Sequence, residues 1–331
     1  MKKNKKILLI TGILLFVIMI TVFYLNADRK LPEAAHQAYE RTGDLLSAGN
    51  TPEVGSVGGE WMVIGLARSG RLSNEMAAAY IQNATEYVKG IGSNRLHNAK
   101  STDNSRLILG LTSVGADVTD VGGYNLLTGL ADMDFIKKQG NNGPIWALIA
   151  FDSGSYEIPS ADDPNRTVTR ETLIEEIVSQ QCDDGGWGLM RNVSDVDMTA
   201  MAIQSLAPYH ESELVKEAVE RGLAFLSEAQ NANGSFESWG SETSESCAQV
   251  IVALSALGID PEDDVRFIKN GFSVVDALCG FYVENGGFRH ICDGALDGMA
   301  TEQGYYALAA YFRFLNGKTS LYNMSDVPRK E

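Results

Sequence analysis

Apolar positions along the chain fall in two alternating kinds of segment. In the first kind, of which residues 212–230 are the clearest, Leu214, Val215, Val219, Leu223 and Leu226 form one stripe, with Glu211, Glu213, Lys216, Glu217 and Glu220 largely off it. Steps of three and four residues are the mark of a helix with one wet face. Similar stripes run over about 32–47, 74–90, 125–139, 169–181 and 263–281. Between them lie helices apolar all round and rich in Ala, Ser and Gly, small enough to pack backbone close to backbone. Six amphipathic helices alternating with six apolar ones predict an all-α fold, an (α/α)6 toroid of six helix pairs with the apolar helices as its inner ring. No period-two runs compete for these segments.

The alternation carries a repeat. Gly185-Gly186-Trp187 precedes Ser194-Asp195-Val196-Asp197-Met198-Thr199-Ala200, Gly234-Ser235-Phe236 precedes Ser244-Glu245-Ser246-Cys247, and Gly286-Gly287-Phe288 precedes Ala300-Thr301-Glu302-Gln303. Each copy is a Gly-x-aromatic turn followed, about ten residues on, by a small-residue helix. Weaker copies lie at 102–114 and 143–151, and the weakest at 58–67; the anchoring leucines are Leu66, Leu111, Leu148, Leu206, Leu254 and Leu308.

One copy has a recognisable form. Arg221-Gly222, Phe225-Leu226, Gln230 and Gly234-Ser235-Phe236 reproduce the QW repeat with Phe for its closing Trp, and Gln181, Gly185 and Trp187 give a second, partial copy. This resembles the α/α toroid superfamily of squalene cyclases and protein prenyltransferase β subunits, whose toroid the intrinsic-factor and transcobalamin α domains share. The resemblance covers about 30–317 and implies that these Gln and aromatic residues are structural. A Gln amide can satisfy helix-end backbone groups while the ring buries beside it.

Composition and charge narrow the class. With 44% apolar and 21% charged residues the chain is globular rather than disordered. Net charge is −16, and since the first 25 residues hold four lysines and no acid, the rest carries −20. That excludes a nucleic-acid partner, which would need Lys and Arg against phosphates. Lys2, Lys3, Lys5 and Lys6 precede an uncharged run over 7–25, long enough to cross a bilayer. The lysines place the N-terminus inside. The run is longer than a usual signal core, and Leu25-Asn26-Ala27 is a poor cleavage site. The expectation is therefore a single-pass cell-membrane protein, anchored by one N-terminal transmembrane helix, with an extracytoplasmic toroid, or a secreted one if the segment is cleaved. The domains are 1–29, basic tip and anchor; 30–317, toroid; and 318–331, a polar tail. Cys182, Cys247, Cys279 and Cys292 show no CxxC spacing and are read as free thiols.

Two family chemistries are outlined and each lacks a member. Squalene–hopene cyclases carry Asp-x-Asp-Asp-Thr-Ala where this chain has Asp195-Val196-Asp197-Met198-Thr199-Ala200, and the resemblance makes Asp197, with Asp195, the best catalytic candidate. Alkene protonation needs a carboxyl acidified by crowded neighbours, and Met198 removes one of them. The cyclases also use two toroids, where this chain has length for one. The residues also fit an inner-helix cap, with Ser194 or Asp195 accepting from the helix start. Prenyltransferase β subunits bind zinc through Asp-x-Cys and a His. Glu245-Ser246-Cys247 stands at the first place, but Ala300 stands at the second, and of four histidines only His290 could lean toward that mouth. No metal and no cofactor is therefore expected. A glycan-active enzyme with two carboxylates across a cleft is a further possibility. The reading is a membrane-tethered, non-catalytic module binding a small molecule or a surface protein, with Asp197, Thr199, Glu245, Cys247, Thr301, Glu302 and Gln303 around one rim. A terpenoid cyclase or prenyltransferase-type enzyme is the alternative.

Overall fold

The computed structural model describes residues 31–329 apart from 49, 50 and 162. The segment 7–25 read as a membrane anchor lies outside the described residues. Among the described residues no helix is long and apolar enough to cross a membrane.

Six inner helices form a closed ring: α2 (Glu60–Ser69), α4 (Ser101–Ser113), α6 (Asn142–Ser153), α8 (Val196–Leu206), α10 (Ser244–Ala256) and α12 (Gly298–Leu315). Each packs against the next, and α12 closes back onto α2. The outer partners are α1 (Glu33–Ser47), α3 (Asn74–Ile91), α5 (Met133–Ile136), α7 (Arg170–Ser179), α9 (Glu213–Ala229) and α11 (Val274–Gly280). The six anchoring leucines are all buried. The only strands among the described residues are two short antiparallel hairpins, β1 (Glu237–Ser238) with β2 (Ser241–Glu242) and β3 (Phe288–Arg289) with β4 (Leu296–Asp297). They lie in the turns that lead into α10 and α12.

Two outer helices are shorter than their apolar stripes predict. Over 125–139 the chain makes a 3-10 turn, then the four-residue α5 behind its Asp132 cap, then a second 3-10 turn. Over 263–281 it makes a 3-10 turn and a Lys269–Phe272 bridge with Asn270 and Gly271 in left-handed backbone, so α11 starts at the Ser273 capping box. Apolar periodicity records which side is buried, and tight turns on a curved outer wall bury the same side.

The QW residues act as the repeat implies. Nε2 of Gln181 donates to the carbonyls of Gly185 (2.8 Å) and Ala218 (2.8 Å), and Nε2 of Gln230 to those of Gly234 (3.0 Å) and Phe267 (2.9 Å). Each Gln thus pegs the end of its outer helix to the following turn and to the next outer element. Trp187 is fully buried and donates from Nε1 to Ile177 O at 2.7 Å. The motif's Gly222 makes room for it: a Cβ there would stand 2.7 Å from the Trp187 ring. Replacing Gln230 with Leu leaves two buried carbonyls without donors. That should cost about 2 kcal/mol in urea unfolding; an unchanged midpoint would mean that the peg is dispensable.

The residues after 317, read as a polar tail, instead fold back across the C-terminal ends of the inner helices. Leu321, Tyr322 and Met324 are buried, and the Met324 amide donates to Ser153 O at 2.9 Å. Two buried arginines clamp the segment. Arg68 of α2 and Arg313 of α12 reach Asp326 at 2.6 and 2.5 Å, and their other nitrogens donate to Thr319, Ser320 and Asn323. Tyr322 meets Trp146 edge-on, ring centroids 5.8 Å apart, and closes the centre of the ring from behind.

Candidate functional site

The N-terminal ends of the inner helices surround an open cup of about 370 Å³. Three of these helices begin alike. Asp195, Thr243 and Asp297 are their N-caps, accepting from Met198 (3.0 Å), Ser246 (3.1 Å) and Ala300 (2.9 Å). Two residues past each cap stand Asp197, Glu245 and Met299, and four further on Met201, Gln249 and Gln303; all six line the cup. Residues four apart share a helix face, so every repeat contributes one such pair. The weaker copies follow with Thr102 and Arg106, Asn142 and Trp146, and Trp61.

The residue between the two lining positions points the other way. Thr199 Oγ accepts from the Trp187 amide at 2.8 Å, and Thr301 Oγ from the Phe288 amide at 3.0 Å. Cys247 holds the same repeat position, fully buried, beside the Phe236 amide, and burial pushes its thiol up to about 12. These three residues tie the aromatic turns to the helices. Glu302 also faces away from the cup: Oε1 accepts from Gly58 N at 2.6 Å, and burial raises its carboxyl to about 7. Of the seven residues expected around the rim, Asp197, Glu245 and Gln303 therefore line the cup, and Thr199, Cys247, Thr301 and Glu302 do not. Asp195 is the cap, while Ser194 donates to Asp184 at 2.6 Å.

Aromatic rings form the floor. Trp61 packs against Trp146 (5.2 Å) and Tyr306 (5.9 Å). Tyr305, by contrast, is stacked on Tyr39 of α1, and Trp239 stands exposed at a hairpin tip. Beside the floor an amide chain runs inward: Gln249 Nε2 donates to Tyr306 Oη (2.7 Å) and to Gln303 Oε1 (3.0 Å), and Gln204 Nε2 to Gln249 Oε1 (3.0 Å). It pins Gln249 and Gln303 in place.

Three ionisable clusters reach the cup. Arg106 is held by the buried Glu60, its Nε 2.8 Å from Oε2, and lies 3.5 Å from Asp103. His290 leans in from β3's hairpin, with Nδ1 2.9 Å from Glu245 Oε2. Asp197 has no cation within salt-bridge distance among the described residues, and its buried Oδ1 accepts no hydrogen bond. Burial lifts its carboxyl to about 6, Asp195 and Glu245 add to the lift, and the Ser246 and Ser238 hydroxyls oppose it.

A prenyltransferase-type zinc does not fit these residues. Cys247 faces away from the cup, and among the described residues no three His, Cys, Asp or Glu side chains converge on a metal position. All four cysteines are free thiols. A larger cavity, about 750 Å³, opens at the opposite end behind Tyr322. Its half-buried acid, Asp152, is already bound to Arg170 and Tyr209, each at 2.7 Å, and its other acid, Glu157, is exposed.

A closed ring of six apolar helices inside a partly wound outer ring, with its site at the inner N-termini, defines an α/α toroid protein. The chain belongs to the family of the prenyltransferase alpha-alpha toroid domain, whose model matches residues 145–310. No curated protein matches the sequence. Among solved structures it is similar to protein geranylgeranyltransferase-I of Candida albicans complexed with GGPP, at 14% identity and TM-score 0.56, covering 92% of this chain and 100% of that one. It is similar to the unsaturated glucuronyl hydrolase of Bacillus sp. GL1, at 14% identity and TM-score 0.55, covering 88% and 98%. A third is a type II terpene cyclase from Scytonema in complex with merosterolic acid A, at 11% identity and TM-score 0.52, covering 84% and 97%. These neighbours are enzymes of different chemistries, and likeness at this level speaks for the fold alone.

Proposed function

We propose that this chain is a membrane-tethered, extracytoplasmic toroid that binds a small molecule in its central cup without transforming it. The observation that carries the reading is the cup itself: an aromatic floor of Trp61, Trp146 and Tyr306 beneath a ring of fixed polar groups, with a volume at the small end for ligand sites. A prenyl diphosphate would find little to hold it, since the one arginine of the cup is already paired with Glu60. The tether is residues 7–25, with the lysines before it inside. A reporter fused after Glu331 should be extracytoplasmic, and a cytoplasmic one would overturn the topology.

The cup is tested by filling it. Met201→Trp places a large ring in the space, so a small molecule that co-purifies with the full-length protein and is seen by native mass spectrometry should be lost from the variant. Equal recovery from both proteins would overturn the reading. One observation favours a second reading, an enzyme with Asp197 as proton donor: its carboxyl is raised to about 6, in the range useful to a general acid. Turnover of an isoprenoid alkene or an unsaturated glycan that disappears in Asp197→Asn, with folding intact, would establish it.

A further inference from the structure

We infer that the ligand of the cup is an organic ammonium ion, seated against Trp61, Trp146 and Tyr306 with Asp197 as its counter-charge. This rests on the reading of the cup as a ligand site and names the class of molecule it takes.

Two kinds of group in the cup lack a cationic partner that several of their equivalents have elsewhere among the described residues. The first is the acid. Glu60 is bound by Arg106 at 2.8 Å, Asp152 by Arg170 at 2.7 Å, and Asp326 by Arg68 at 2.6 Å and Arg313 at 2.5 Å. Asp197 has none of this among the described residues, and its Oδ1 is buried without a hydrogen-bond partner. A carboxylate withdrawn from water without a counter-charge is costly, so a cation that entered beside it would be held. Arg106 cannot serve, because Glu60 and Asp103 already hold it. His290 is engaged with Glu245.

The second is the aromatic floor. Elsewhere a Lys or Arg lies over Tyr39, Phe135, Phe267, Phe312 or Tyr156. Among the described residues none lies over Trp61, Trp146 or Tyr306, although indole is the ring that attracts a cation best. An unpaired acid and unpaired indoles in one cavity describe the outline of a missing cation.

The same surroundings select its type. A hard metal ion needs six or more oxygen ligands, and five of the thirteen residues of this wall carry indole, phenol or thioether. A neutral sugar could stack on the tryptophans but would leave the Asp197 charge where it is. A carboxylate or phosphate would meet Asp197 and Glu245 head on. An alkylammonium presents charge to the acid and methyl or methylene groups to the rings. The chain beyond residue 25 carries −20, which draws cations toward the mouth.

Choline is the probe, and its uncharged carbon isostere, with a carbon in place of the nitrogen, is the control of equal shape. Titrated into the full-length protein at about pH 8, where Asp197 is ionised, choline is expected to change the tryptophan fluorescence saturably. The isostere should bind at least about tenfold more weakly. Asp197→Asn should weaken choline about tenfold and leave the isostere unchanged, while Trp61→Leu should weaken both; a single cooperative melting transition certifies each fold. Choline binding no better than the isostere, or no choline binding, overturns the ammonium assignment. The cup reading survives that result if Met201→Trp still expels a co-purifying molecule, and falls with it if that variant changes nothing.

Discussion

Asp326→Ala is expected to lower the unfolding free energy by about 3 kcal/mol, the lower end of what breaking a buried ion pair from one side costs. The substitution leaves Arg68 and Arg313, both about 5% exposed, without a carboxylate partner among the described residues. The lower end applies because the Asp326 side chain itself is 38% exposed, so water relieves part of the loss. The two guanidinium groups hold the Asp326 carboxyl down to about 2. Its contribution is therefore complete above the unfolded value near 4 and is lost as pH falls toward 2. Chemical denaturation at neutral pH checks the first statement, and an acid titration of wild type against Asp326→Ala checks the second. The variant should also loosen the segment that carries Tyr322, so amide exchange over 319–327 should quicken more than the global loss accounts for.

The opposite sign is expected at Asp197. A folded-state value of about 6, against 3.8 for an ordinary Asp, means that the folded chain holds this proton more tightly than the unfolded one. Between those values the native state binds more protons, so the carboxyl's contribution to stability falls as pH rises from about 4 to above 6. Above that range the protein carries a penalty on the order of 2 kcal/mol, discounted for the water that the open cup admits. Asp197→Asn removes it. The variant should melt at a higher temperature than wild type at neutral pH and at the same temperature at about pH 4. A variant that melted lower at neutral pH would give Asp197 a structural role, which its position two residues past the Asp195 cap does not suggest. A side chain kept at a cost to stability in a solvent-open cup is what a binding or catalytic site requires.

The architecture was legible because it rests on patterns that survive without long-range information. Six amphipathic and six apolar segments, six spaced leucines and the Gln-Gly-aromatic copies each report a local choice, burial on one side or on both. The hydrogen bonds of Gln181 and Gln230 have the form that the motif implies. Three of the seven residues expected around the rim line the cup, and Thr199, Cys247, Thr301 and Glu302 do not. Nearness to an inner-helix start brought Asp197, Glu245 and Gln303 together with Thr199, Cys247 and Thr301, yet helix geometry sets the two groups on different faces. The separating signal was in the sequence. Aligning the caps Asp195, Thr243 and Asp297 gives lining pairs four residues apart, 197 with 201, 245 with 249 and 299 with 303. Met201, Gln249 and Met299 follow from that alignment. Arg106, Asn142 and Thr102 do not, since the weaker copies lack the Gly-x-aromatic turn that would register them.

What the sequence determined by itself was the class of fold, the identity of the structural Gln and aromatic residues, and the helix starts that bring Asp197, Glu245 and Gln303 to the cup. Each follows from short-range periodicity and the chemistry of single side chains. Only the tertiary structure decided which acids go without a cation, Asp197 in the cup and Glu302 behind it. Glu60, Asp152 and Asp326 look no different from Asp197 in the sequence, and their arginines come from 46 residues away for Glu60, 18 for Asp152, and both 258 and 13 for Asp326. It also decided that the last residues close the ring from behind, because Arg68 and Arg313 meet over Asp326 only after α12 has closed on α2. Partnership between charges distant in sequence is set by closure of the ring, and no local pattern encodes it.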